Sequence, residues 1–134
     1  MVYLTDPRTQ SADGPFATDT LARLNQFRSN QEFVVNDANL FALRGEYIRL
    51  DFVVAQNPPF ESPTSVNNNF FYDVSTRDFA AVNAYYQMDK LFHMVTDLDY
   101  DMHRMFSTMF ANYGFPVPVD FVTMNDVNAF TFGD

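Results

Sequence analysis

The chain has 134 residues, 47% of them hydrophobic and 17% aromatic, which fits one domain with its own core and excludes a disordered tail. Seventeen acidic residues outweigh eight basic ones for a net charge of −9, and the bases are scattered, which excludes the basic face that a nucleic acid requires. Cysteine is absent, which excludes disulfides and thiolate metal sites, and no stretch reaches the roughly 18 consecutive apolar residues of a membrane-spanning helix.

The first residues, MVYLTDPRTQ, have neither the basic start nor the apolar run of a signal peptide. An acidic, asparagine-rich surface with Lys90 as its single lysine is common on secreted proteins, so an extracellular location is expected. Residues 2–5 (VYLT) are β-branched and aromatic and are closed by Asp6 and Pro7, which predicts a first strand. Residues 18–27 place Leu21, Leu24 and Phe27 at helical spacing, enough for a short helix, and Phe33, Val34 and Val35 read as a strand.

Residues 45–54 (GEYIRLDFVV) alternate, with Glu46, Ile48, Leu50, Phe52 and Val54 on one, mostly apolar, face and Tyr47, Arg49, Asp51 and Val53 on the other. Its expected partner is either residues 33–35 or the segment near residues 40–43, joined through the intervening Asn and Asp residues. Residues 56–69 contain three prolines and three consecutive asparagines, a composition that predicts a long loop. Phe70 to Val74 then read as an aromatic strand or an extended entry into the next element.

That element, residues 75–98, is the one long periodic stretch. Phe79, Val82, Tyr86, Leu91, Phe92, Val95 and Leu98 are expected to face inward, with Arg77, Asp78, Gln87, Asp89, Lys90 and Asp97 outside. Of the adjacent Tyr85 and Tyr86, one is expected in the core and the other near the surface. Ser75 or Thr76 is placed to cap the first turn, and Asp78 adds negative charge where the helix dipole is positive. A second helix is predicted over residues 99–112, with Gly114 placed to end it; its stripe Met102, Met105 and Met109 is the kind that forms an adaptable binding groove, and core filling beside the Phe side chains is the use expected. Pro116 and Pro118 argue against a central strand, and residues 121–124 and 127–132 read as strands joined at Asn125 and Asp126. The resulting fold class is α+β, a mostly antiparallel sheet packed against one long central helix. The chain divides into a strand-rich segment (1–55), a loop (56–69) and a helix-and-edge segment (70–134).

Candidate chemistry is sparse. His93 and His103 are ten positions apart on different predicted helices, so they cannot grip a metal from one helical face. Asp97, Asp99 and Asp101 alternate as at the start of a calcium loop, but the required glycine and the distant glutamate are missing, so a solvated helix break is expected there. No nucleophile elbow and no glycine-rich phosphate loop is present, so no catalytic or metal-binding residue is assigned.

The stretch FFYDVSTRDFAAVNAYYQMDKLF, followed later by VDFVTMNDVNAFTFGD, resembles the region just upstream of the zinc motif in thermolysin-like and fungalysin-like (gluzincin) metallopeptidases. The VYLTDP start and the LRGEYI strand extend the resemblance toward the N-terminus. The resemblance implies that the long helix packs under the sheet of the N-terminal lobe. It further implies that Asn128 and Ala129 on an edge strand hydrogen-bond the substrate backbone, with Phe130 beside them. No H-E-x-x-H occurs in the 134 residues, so the ligands and the base that this family uses are missing from them. The expectation is a non-catalytic portion of such a domain that carries no cofactor, with zinc only where a downstream H-E-x-x-H half exists. The alternative is a self-assembling structural or filament subunit. In either case the Val- and Phe-rich edge at residues 127–132 is expected to be covered by the remainder of a peptidase domain or by another copy of the chain.

Overall fold

The computed structural model describes residues 2–3, 21–26, 28–32, 43–50, 61–65, 69–109 and 115–120. In chain order its elements are β1 (Val2–Tyr3), α1 (Leu21–Gln26), β2 (Arg28–Ser29), β3 (Ile48–Leu50), α2 (Arg77–Asp97), α3 (Met102–Met109) and β4 (Val117–Val119). This is a mixed α+β arrangement with one long helix and short strands.

Helix α2 begins where the sequence provides its cap. Thr76 stands in extended conformation, and its Oγ1 accepts the Phe79 N–H at 3.1 Å, satisfying one of the donors that a first turn leaves open. Ser75 has a different role. Its N–H and hydroxyl both donate to Asp73 Oδ1, at 3.0 and 2.7 Å, and these bonds hold the Asp73 carboxyl below the usual carboxylate range. The helix then runs unbroken for 21 residues.

Its far end is built as carefully. Asp99 adopts a left-handed backbone (φ 62°), its N–H donates to Thr96 O at 2.9 Å, and the Tyr100 N–H reaches back to Val95 O at 3.4 Å. That is the bond pattern of a Schellman motif, with aspartate in the position that glycine usually fills. Two residues on, Asp101 Oδ1 accepts the Arg104 N–H at 2.9 Å and so caps α3. The alternating aspartates are thus an exposed helix break in which Asp99 turns the chain and Asp101 starts the next helix.

The buried face of α2 differs from the expected one in its second half. Phe79, Val82, Tyr86 and Phe92 face inward as predicted, joined by Ala81, Tyr85 and Asp89. Leu91 and Leu98 are exposed, Leu98 at 64%. The reason is angular. From Tyr86 to Leu91 is a step of five, which at about 100° per residue swings the side chain some 140° around the axis. The inward stripe continues instead through Asp89, a residue the polarity pattern places outside. Both tyrosines are buried, because the core lies against the whole arc between them, and Tyr86 keeps its hydroxyl paired with Gln31 Oε1 at 3.2 Å.

Against this face lie two short strand pairs. β1 and β2 are antiparallel, with Val2 opposite Ser29, and Val2 is fully buried. β3 and β4 are parallel, in register Ile48 to Val117 and Leu50 to Val119. Among the described residues the β3–β4 pair is the parallel exception beside the antiparallel β1–β2 pair and the antiparallel Arg44–Arg49 bridge. The α2–α3 segment carries the chain back across, and a crossover of that kind brings the following strand in parallel. Pro118 is accommodated opposite Arg49, so the prolines of this segment do not prevent pairing.

Leu43 and Arg44 return antiparallel on Arg49 and Leu50, with Gly45 N–H donating to Ile48 O at 2.8 Å and Leu50 N–H to Leu43 O at 2.9 Å. The partner of β3 on this side is therefore the residue 43 segment. The turn between them is Gly45 to Ile48, not an Asn/Asp link. Ile48 and Leu50 point into the core as the alternation requires. Residues 61–65 and 69–73 have no regular structure, and the entry to α2 is extended, with Phe70 buried, Phe71 exposed and the Tyr72 carbonyl accepting from Arg28 at 2.9 Å. Among the methionines, Met102 is buried but Met105 is exposed, so the stripe on α3 fills the core only in part.

Residues 33–35, 51–54, 121–124 and 127–132, predicted as strand, and Gly114 lie outside the described residues.

Candidate functional site

The turn Gly45 to Ile48 places Tyr47 at the junction of β3, α2, α3 and the entry to β4, and the ring is buried there. Four neighbours surround it. Phe92 stacks at 5.9 Å between centroids and His93 meets the ring edge-on at 5.1 Å, both from α2. His103 of α3 approaches at 5.9 Å and Phe115 at 5.6 Å. His103 and Phe115 are themselves 4.6 Å apart.

Both histidines of the chain therefore converge on one tyrosine, although ten sequence positions separate them. Each has its own carboxylate. His93 Nδ1 lies 2.9 Å from the Asp89 carbonyl and 3.5 Å from Asp89 Oδ2, one helical turn back. The carbonyl contact favours a proton on Nδ1, which leaves Nε2 as the free acceptor of a neutral ring. His103 Nε2 lies 3.4 Å from Glu46 Oε1, across a link from α3 to the turn.

The two carboxylates sit in different surroundings. Glu46 is exposed, whereas Asp89 is 7% exposed. Burial pushes the Asp89 carboxyl above the usual carboxylate range; the adjacent His93 opposes this, and the charge of Glu46 adds to it. Tyr85, one turn before Asp89, is raised strongly by burial and then by the Asp89 charge. Tyr47 carries its hydroxyl toward Thr96 Oγ1 at 3.5 Å, while Thr96 donates to Phe92 O at 3.0 Å.

Chemically this is a set of two imidazoles and two carboxylates on an aromatic base, able to exchange protons and shift charge. Among the described residues, no three His, Asp or Glu side chains are grouped to hold a metal ion. Sequence reasoning separated the two histidines correctly by element but missed their convergence, which comes from the α2–α3 break folding α3 back beside the turn. Tyr47 gave one signal, an aromatic on the polar side of an otherwise alternating strand.

The predicted substrate-binding residues Asn128, Ala129 and Phe130 lie outside the described residues. The helix signature that accompanied them is described throughout. Ala81, Val82, Tyr85 and Tyr86 are buried, and Asn83 and Ala84 are half-buried. Among the described residues, no helix is long and apolar enough to cross a membrane. Comparison with family models, with curated proteins and with solved structures gave no match to the chain.

Proposed function

We propose that this chain is the non-catalytic helix-and-strand portion of a zinc metallopeptidase-like domain, which binds an extended peptide along an edge strand through Asn128, Ala129 and Phe130. The observation that carries the reading is the burial of the A-V-N-A-Y-Y stretch of α2 beneath both strand pairs, the packing that the resemblance implies. In this reading the 134 residues hydrolyse nothing and hold no zinc by themselves, because the H-E-x-x-H helix is supplied from elsewhere. The extracellular location belongs to the same reading, supported by the acidic, lysine-poor composition.

The test is a titration of the ¹⁵N-labelled chain with a panel of extended peptides. Main-chain shifts centred on residues 128–130, weakened by Asn128→Ala, are the expected result. Shifts elsewhere, or none with any peptide, would refute it. A parallel incubation with zinc and casein is expected to leave the casein intact and the dialysed protein free of zinc.

A second reading, assembly with a covering partner, is favoured by one observation. Leu91, Met94 and Leu98 expose a row of apolar side chains along α2, and Tyr100 and Met105 are exposed beyond it. A second copy of the chain or the remainder of the domain would cover them. Sedimentation as a monomer at all accessible concentrations argues against the self-assembling form.

A further inference from the structure

The cluster around Tyr47 brings two imidazoles and two carboxylates together from three elements. From the turn come Glu46 and Tyr47; from α2, Asp89 and His93; from α3, His103, with Asp101 and Arg104 on the same helix. The entry to β4 contributes Phe115 and Pro116, which carry no charge. Arg44 and Arg49 lie on the strands flanking the turn, Asp120 follows β4, and Lys90 stands over the Tyr86 ring at 5.8 Å.

With both imidazoles neutral, the like charge of Glu46 acts on the buried Asp89 carboxylate. Once they are protonated, His93 stands against Asp89 at 3.5 Å and His103 against Glu46 at 3.4 Å as opposite charges. We propose that His103 and Glu46 form an acid-tightened clasp that docks α3 onto the Gly45 to Ile48 turn, with Tyr47 as its base and the His93–Asp89 pair, one turn apart on α2, holding the His93 ring against Tyr47. Imidazole is the side chain that acidification from neutral pH charges first, so acidification is the perturbation that strengthens the clasp. It weakens again at lower pH as the carboxylates lose their charge. The link from Leu98 to Asp101 is short and exposed, so the docking of α3 depends on what its own side chains meet. This inference stands apart from the peptide-binding reading, since none of its residues belongs to that edge.

The experiment is thermal unfolding of the whole chain at about pH 5.5 and about pH 8, for wild type and for His93→Gln with His103→Gln. Wild type is expected to melt higher at the lower pH by about 3 °C or more. The double variant loses the ring contacts to Tyr47 at every pH, so its own difference between the two pH values is what is read, and it should fall to half or less of the wild-type difference. An acidic chain gains some stability on acidification from its net charge alone, and that part survives in the variant. An undiminished difference in the variant would therefore overturn the clasp. Should the double variant not fold, the wild type still decides. Tyr47 ring resonances that titrate together with both imidazoles, and α3 amides whose protection corrected for intrinsic rate rises as pH falls, support it. Independent titration with unchanged protection overturns it.

Discussion

Tyr47→Ala is the substitution that tests the packing most directly. The ring is 6% exposed and meets Phe92, His93, His103 and Phe115 at centroid distances of 5.1 to 5.9 Å. Truncating a buried aromatic of this kind removes its transfer energy and leaves a cavity that its neighbours fill only in part, a loss of about 3 to 5 kcal/mol. Against a total of about 5 to 15 kcal/mol for a domain, that is roughly a fifth or more of the stability. With a urea m-value of about 2 kcal/mol/M, the midpoint should fall by roughly 2 M. Far-UV circular dichroism is the appropriate signal, since the chain has no tryptophan and its long helix dominates the spectrum. Tyr47→Phe is the control. It removes only a hydroxyl 3.5 Å from Thr96 Oγ1 and should cost less than about 0.5 kcal/mol. Equal midpoints for wild type and Tyr47→Ala, with the m-value unchanged, would refute the placement of Tyr47 at the junction.

Thr76→Ala removes the acceptor of the Phe79 N–H and should destabilise by about 1 kcal/mol in the same urea assay, whereas Ser75→Ala should cost less. Asp99→Val forces a β-branched residue into a left-handed backbone and should cost about 1 to 2 kcal/mol. For Asp89 the sign follows from burial. Its folded-state carboxyl lies above the unfolded value, so the folded chain binds the extra proton and stability falls as pH rises from the unfolded value through the folded one. Asp89→Asn abolishes that dependence and should raise the melting temperature relative to wild type near neutral pH, read from melts across a pH series. Tyr85, buried beside Asp89, should be among the last tyrosines to ionise in an alkaline titration followed by phenolate absorbance.

Local chemistry made the ends of α2 legible in the sequence: a threonine before an apolar run is a cap wherever it occurs, and alternating aspartates without a calcium-loop glycine read as a break. The alternation around Ile48 and Leu50 likewise identified the inward face of β3. What escaped was set by tertiary context. Leu91 and Leu98 read as core because each adjoins apolar positions, yet the angular step after Tyr86 puts them on the far side of the helix, and the core position goes to Asp89. The parallel register of β3 with β4 depends on how the α2–α3 segment returns, which no local pattern encodes. The Tyr47 cluster was hidden for the same reason, since its members come from four separate stretches brought together only by that return.

The parallel pairing also fixes an order of events during synthesis. β3 leaves the ribosome well before its partner, because α2 and α3 lie between them, and at about 5 to 20 residues per second β4 follows only seconds later. Until then the β3 edge that β4 will occupy has only water or a non-native strand to bond with. The hairpin contact with Leu43 and Arg44 is local and can hold the other edge from the start. The nascent chain thus carries a half-satisfied strand through the whole translation of α2, and that interval is when a chaperone would have most to protect.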